Sequence, residues 1–143
     1  MNKLVAALVM ALAAPAAPLL TAPAAAEETM ADLGIPVGQT VPLVTGVNQD
    51  GEPMTFDQMV GANGATLVFY RSADWCPFCK EQLKDLNSIA ADLDAKGYPL
   101  VALSYDPVDT LKKFHTREGL THTLISDPDS EIIHAFGLGN EED

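Results

Sequence analysis

The chain has 143 residues, 48% of them hydrophobic, with 8 basic against 20 acidic side chains and a net charge of −12. That length suits one small domain. The acidic balance argues against nucleic acid as a partner, because phosphate contacts need clustered Lys or Arg; the scattered carboxylates give a solvated, soluble surface instead.

Residues 1–26 have the three-part layout of a secretory signal peptide. Lys3 supplies the positive start, Leu4 to Ala14 form an apolar run, and Ala24 and Ala26 are the small residues before an expected cut after Ala26. A membrane-spanning helix is the competing reading, but the run is shorter than the roughly 20 apolar residues a span requires. Pro15, Pro18 and Pro23 also interrupt its continuation. No cysteine lies near the cut to carry a lipid. The expectation is an exported chain, periplasmic or secreted, with no membrane association after cleavage. Loss of Lys3 leaves 7 basic against 20 acidic side chains, or −13. Thiols in such a compartment can remain oxidised.

Residues 27–38, with Pro36 and two glycines, read as a linker into a domain over 39–143. "VPLVTGVNQDGEPMTF" offers two short extended pieces around a hairpin signal, "NQDG". Thr55 or Asp57 suits the cap of a short helix through Val60, which "GANG" ends. "TLVFY", Thr66 to Tyr70, is a continuous apolar run of the kind found in central strands covered on both faces. A helix over about Cys76–Ala95 follows, with Gly97 as its stop. "PLVALSY" is a second buried strand, and Asp106 is placed to cap a helix from Pro107 to Glu118, ended by Gly119. "HTLIS" is a third strand, and "DPDSEIIHAFGL" a turn and short helix. Alternating strands and helices imply parallel pairing in an α/β layer structure.

Both cysteines lie in "DWCPFCK", one helical turn apart. Along the helix, Cys79, Leu83, Leu86, Ala90 and Leu93 share one face, which the leucines turn toward the sheet. Cys79 therefore begins the buried stripe, while Cys76 sits at the helix mouth. The positive end of the helix dipole there lowers a cysteine pKa from its free value of about 8.5. Pro77 fits the first turn because its missing N–H would have had no partner. The reading is an exposed, activated Cys76 and a shielded Cys79 placed to resolve. This layout suits thiol–disulfide exchange, in which an exposed thiolate attacks a disulfide and its neighbour displaces the product. Arg71 can support the thiolate and Asp74 opposes it. Trp75 serves either as an apolar wall beside the sulfur or as an ordinary core aromatic.

Three plainer readings compete. A purely structural bridge closes so small a loop that it stabilises little. A metal site needs about four ligands and a lone C-x-x-C supplies half of them; His115, His122 and His134 show no paired spacing and read as surface or helix residues. Two inert core cysteines fit poorly with a strand–Trp-Cys–helix context.

"LVFYRSADWCPFCKEQLKDL", "YPLVALSYDPVDTLKKF" and "LISDPDSEIIHAFGL" together resemble the redoxin branch of the thioredoxin-like superfamily, which includes the alkyl hydroperoxide reductase/thiol-specific antioxidant (peroxiredoxin) domain. The resemblance spans roughly Val37 to Leu138 and implies a thioredoxin-like α/β fold and an antioxidant or disulfide-handling oxidoreductase without a bound cofactor. Its substrates would be protein or small-molecule disulfides and thiols, or peroxides. The thioredoxin-like branch attacks with the first cysteine, here Cys76, and resolves with Cys79. Peroxiredoxins carry P-x-x-x-T-x-x-C and attack peroxide with its last residue, here Cys79; the proline and threonine positions hold Ser72 and Cys76. The second thiol in place of threonine favours exchange, with peroxidase as the alternative. A redox-inert domain or fragment with a structural disulfide is the non-enzyme alternative. The resemblance also implies a further strand opening on a cis-proline, then another strand and a closing helix. Here the last proline is Pro128, so the expectation is a shortened redoxin whose Thr66–Tyr70 strand keeps an open edge.

Overall fold

The computed structural model of the protein describes residues 33–139. The expected signal peptide and linker residues 27–32 lie outside the described residues. Nine elements follow in order: β1 (Thr45–Asn48), β2 (Pro53–Thr55), α1 (Phe56–Met59), β3 (Thr66–Phe69), α2 (Pro77–Ala95), β4 (Leu100–Ser104), α3 (Val108–Glu118), β5 (Thr123–Ser126) and α4 (Glu131–Ala135). The five strands form one sheet in the order β2-β1-β5-β4-β3. None of the described helices is long and apolar enough to cross a membrane.

The hairpin forms where the turn chemistry placed it. Asn48 Oδ1 accepts the Asp50 and Glu52 amides, and Gly51 takes a φ of +83°, which favours glycine. Thr55 caps α1, its N–H donating to Gln58 Oε1 at 2.8 Å. Gly119 ends α3 in the left-handed region and returns its N–H to His115 O.

Pairing is mixed rather than all parallel. β3, β4 and β5 are parallel neighbours, whereas β1 lies antiparallel to both β2 and β5. The hairpin enters the sheet beside β5 without a crossover helix, so nothing imposes parallel direction on it. The fully buried strand is β4, while β5 lies at the middle of the sheet and β3 at its end. Among the described residues β3 pairs with β4 alone, and its four residues are only half-buried. The apolar run was legible, but its place in the sheet depends on a partner that its own residues do not encode.

Side-chain alternation divides the core between two faces. Ala102 and Leu124 pack with Leu83 of α2 and Leu111 and Phe114 of α3. Val101, Leu103 and Ile125 pack with Met59, Ile132 and Phe136 on the opposite face. Leu83, Leu111 and Phe114 are sealed from solvent, each burial contributing about 1.5–3 kcal/mol. Ile35, within the expected linker, packs against the second cluster, and Gly34 N–H donates to Gly137 O.

Two polar residues sit differently from their sequence reading. Asp106 does not cap α3, whose N-cap is Pro107 with no side-chain bond; its carboxylate turns inward. His122, read as a surface or helix residue, is buried just before β5, its ring beside Asn87 of α2.

Candidate active site

The loop from Tyr70 to Cys76 leaves the C-terminal end of β3, and Asp106 follows the C-terminal end of β4, so the parallel pairing of these strands brings the two segments together. Cys76 and Cys79 form a disulfide with Cα atoms 5.3 Å apart. Cys76 is the N-cap of α2 and Pro77 its first helical residue, as the spacing predicts. Cys76 Sγ accepts the backbone N–H of Cys79 at 3.2 Å, the position a capping oxygen usually takes. Once the bridge opens, that amide and the helix dipole favour negative charge on this sulfur.

The expected contrast in exposure between the sulfurs is absent. Cys76 is 7% and Cys79 8% exposed, and both belong to the cluster that holds Tyr70, Ala73 and Leu83. The helix stripe does bury Cys79, as expected. The N-cap position, however, does not leave Cys76 open, because the loop before it folds under the helix mouth. What stands out in solvent are its neighbours: Trp75 at 48% and Phe78 at 85% exposure. Trp75 is therefore not a core aromatic. Arg71 places its guanidinium 4.5 Å from the Trp75 ring centroid, a cation–π contact. Lys80 Nζ donates to Asp74 O at 2.7 Å across the same loop.

Beneath the loop lies a buried polar cluster that sequence reasoning missed. Asp106 accepts Ser72 Oγ–H at 2.7 Å, Ala73 N–H at 2.6 Å and Ser104 Oγ–H at 2.9 Å. Ser72 Oγ in turn accepts the Asp74 and Trp75 amides. Ser126 Oγ donates to Asp106 O at 2.7 Å, tying in β5. The signal was present as Ser104-x-Asp106 directly after a buried strand, but Asp before Pro also reads as a helix cap. Tyr70 is buried beside this cluster. Burial pushes its hydroxyl well above the ordinary tyrosine pKa; the Ser104 side chain lowers it and the Asp106 charge raises it again. That hydroxyl makes no hydrogen bond of normal length.

An open cavity of about 680 Å³ lies nearby, lined by Phe69, Tyr70 and Arg71 from the end of β3, by Tyr105, and by Ile133 and His134 of α4. Among the described residues no group of three or more His, Cys, Asp or Glu is arranged to hold a metal ion.

The sequence model of the AhpC/TSA family matches residues 37–143. The Mycobacterium tuberculosis (strain H37Rv) protein Rv2521, named as a peroxiredoxin, is 30% identical over 105 residues, covering 73% of this chain and 66% of the relative. Peroxiredoxin Bcp of Escherichia coli (strain K12) is 28% identical with the same coverage. This chain thus spans just under two thirds of the length of these relatives. Among solved structures, peroxidoxin BcpB of Mycobacterium tuberculosis superposes with a TM-score of 0.64 at 25% identity, covering 70% of this chain and 64% of that one. A secreted Mycobacterium tuberculosis disulfide oxidoreductase shares the fold with a TM-score of 0.56 at 22% identity, covering 69% and 71%. The thioredoxin-like α/β fold expected from the strand–Cys-x-x-Cys–helix order is therefore the fold of the chain. With the family model reaching across the whole described domain and its cysteine helix, the protein belongs to the AhpC/TSA family.

Proposed function

We propose that this protein is a thiol peroxidase of the peroxiredoxin kind, exported to a periplasmic or extracellular space, in which Cys79 attacks peroxide and Cys76 resolves. The observation that carries this reading is the Cys76–Cys79 disulfide inside a domain of the AhpC/TSA family. The Cys79 thiolate attacks one peroxide oxygen, the O–O bond breaks, and the alcohol or water leaves with the second oxygen. Cys79 becomes a sulfenic acid. The Cys76 thiol attacks that sulfur, water departs, and the disulfide seen here results. An external dithiol, or two monothiols in turn, restores the pair by exchange and leaves as a disulfide, having given up two electrons and two protons. Lys3, Leu4 to Ala14 and the Ala24/Ala26 site support the exported location.

Thiol–disulfide exchange with Cys76 as nucleophile is the second reading. It is favoured by the amide of Cys79 donating to Cys76 Sγ, and by Ser72 and Cys76 at the proline and threonine positions of the peroxiredoxin motif. Peroxide consumption and disulfide reduction by Cys76→Ser and Cys79→Ser separate the two. The peroxidase predicts that Cys79→Ser abolishes peroxide consumption while Cys76→Ser still reacts once. Exchange predicts that Cys76→Ser abolishes attack on disulfides, and Cys79→Ser accumulates mixed disulfides. If neither substitution changes either activity, both readings fail and the bridge is structural.

A further inference from the structure

The Asp106 carboxylate lies at the centre of the site yet is 4% exposed and outside any cysteine motif. Its partners determine what residue can stand there. Ser72 Oγ uses its acceptor capacity on two amides, Asp74 N–H at 3.0 Å and Trp75 N–H at 3.3 Å. A hydroxyl has two lone pairs and one hydrogen. The Ser72 hydrogen must therefore go to Asp106 Oδ1, 2.7 Å away, while Asp106 Oδ2 takes the Ala73 amide at 2.6 Å. Both carboxylate oxygens must accept. An asparagine would set its NH₂ either against the Ala73 N–H or against the committed Ser72 hydroxyl, leaving a donor facing a donor in a buried place.

These bonds converge on one short run, Ser72 to Trp75, whose next residue is Cys76. We infer that Asp106 is the positioning residue of the cysteine pair: by taking the hydrogens of Ser72 and Ala73, it holds Cys76 where its sulfur meets that of Cys79. This goes beyond the peroxidase reading and needs only that the pair open and close. In the disulfide the covalent bond already confines Cys76. In the dithiol only the loop does so, and the clamp therefore restricts the reduced state most. Holding the reacting atoms together raises the equilibrium constant for closing the bridge, the effective-concentration effect of an ordered intramolecular reaction.

The test is the redox equilibrium of the full chain with dithiothreitol at neutral pH. Two protein S–H bonds are exchanged for one S–S bond as oxidised dithiothreitol takes up two electrons and two protons. Asp106→Asn and Ser72→Ala should each lower the constant for disulfide formation about tenfold, which is a rise in reduction potential of about 30 mV for a two-electron couple. Ser72→Ala keeps the carboxylate charge and is the milder change, so it serves if Asp106→Asn folds poorly. Ile132→Val trims the core cluster on the opposite face of the sheet, away from the cysteine loop, and should leave the constant within about twofold. Melting of both redox forms is read alongside, since a merely structural role would lower both equally and leave the potential in place.

An unchanged potential in Ser72→Ala overturns the inference, as does an equal shift in Ile132→Val. A shift in Asp106→Asn alone also overturns it, because that result reports charge rather than position. A wild-type disulfide that excess dithiothreitol cannot open defeats both this inference and the proposed function. Failure to consume peroxide, with the potential shifts intact, defeats the peroxidase reading alone.

Discussion

Acid should destabilise this protein through one histidine, and the size of the effect follows from its surroundings. His122 is 4% exposed, with Nδ1 3.2 Å from Asn87 Oδ1. That oxygen already accepts the Thr121 amide and hydroxyl, so Nδ1 carries the hydrogen and Nε2 is left a bare lone pair. Nε2 is buried without a partner. A proton there would be a charge with nothing to receive it, and burial, followed by the charge of His115, lowers the pKa from 6.5 to about 4. The folded pKa is depressed, so the unfolded chain binds the proton more readily. The stabilising difference is complete above about pH 6.5 and is lost as pH falls toward 4. Each pH unit within that window costs up to about 1.36 kcal/mol, which gives about 2 kcal/mol by pH 5 against a typical total of about 5–15 kcal/mol. Urea unfolding of wild type and His122→Leu, followed by circular dichroism from pH 7.5 to 4.5, isolates this group from the carboxylates common to both. The wild type should lose stability relative to the variant as pH drops. Parallel curves between pH 7 and 5 would refute the reasoning.

Other changes test the packing and the site surface. Leu83→Ala empties a fully buried position beneath the cysteine helix and should cost about 2–5 kcal/mol in denaturant unfolding. Gly61→Ala places a Cβ 2.6 Å from both Gly97 O and Pro99 Cδ, so backbone must move; a loss of about 1–3 kcal/mol should appear as a lower melting temperature. Arg71→Ala removes the cation over Trp75 and should change stability by less than about 1 kcal/mol while altering tryptophan fluorescence.

What the sequence disclosed depended on how local each signal was. The Asn48–Gly51 turn, Pro77 at the first turn of α2, the Leu83/Ala90 stripe and the stop at Gly119 are settled by residues within a few positions of one another. Placing β3 in the sheet required its neighbours, and an apolar run reads alike at the centre of a sheet and at an unfilled edge. Asp106 was misread because Asp before Pro has a good local explanation, helix capping, while its two partners on the cysteine loop lie 33 and 34 residues away. The burial of Cys76 is likewise a matter of distant partners, since it lies in one cluster with Ala102, Leu111 and Leu124. The dipole argument located the sulfur correctly at the helix mouth, but it could not register the loop folded beneath it.

The most direct test of the peroxidase account is the intact mass of the reduced full chain, and of its Cys76→Ser form, after one equivalent of hydrogen peroxide. Wild type should lose two hydrogens as the Cys76–Cys79 bridge closes, and Cys76→Ser should gain a single oxygen, trapped by dimedone at Cys79. An oxygen found on neither sulfur, or on Cys76 of Cys79→Ser while Cys76→Ser stays unmodified, would contradict it.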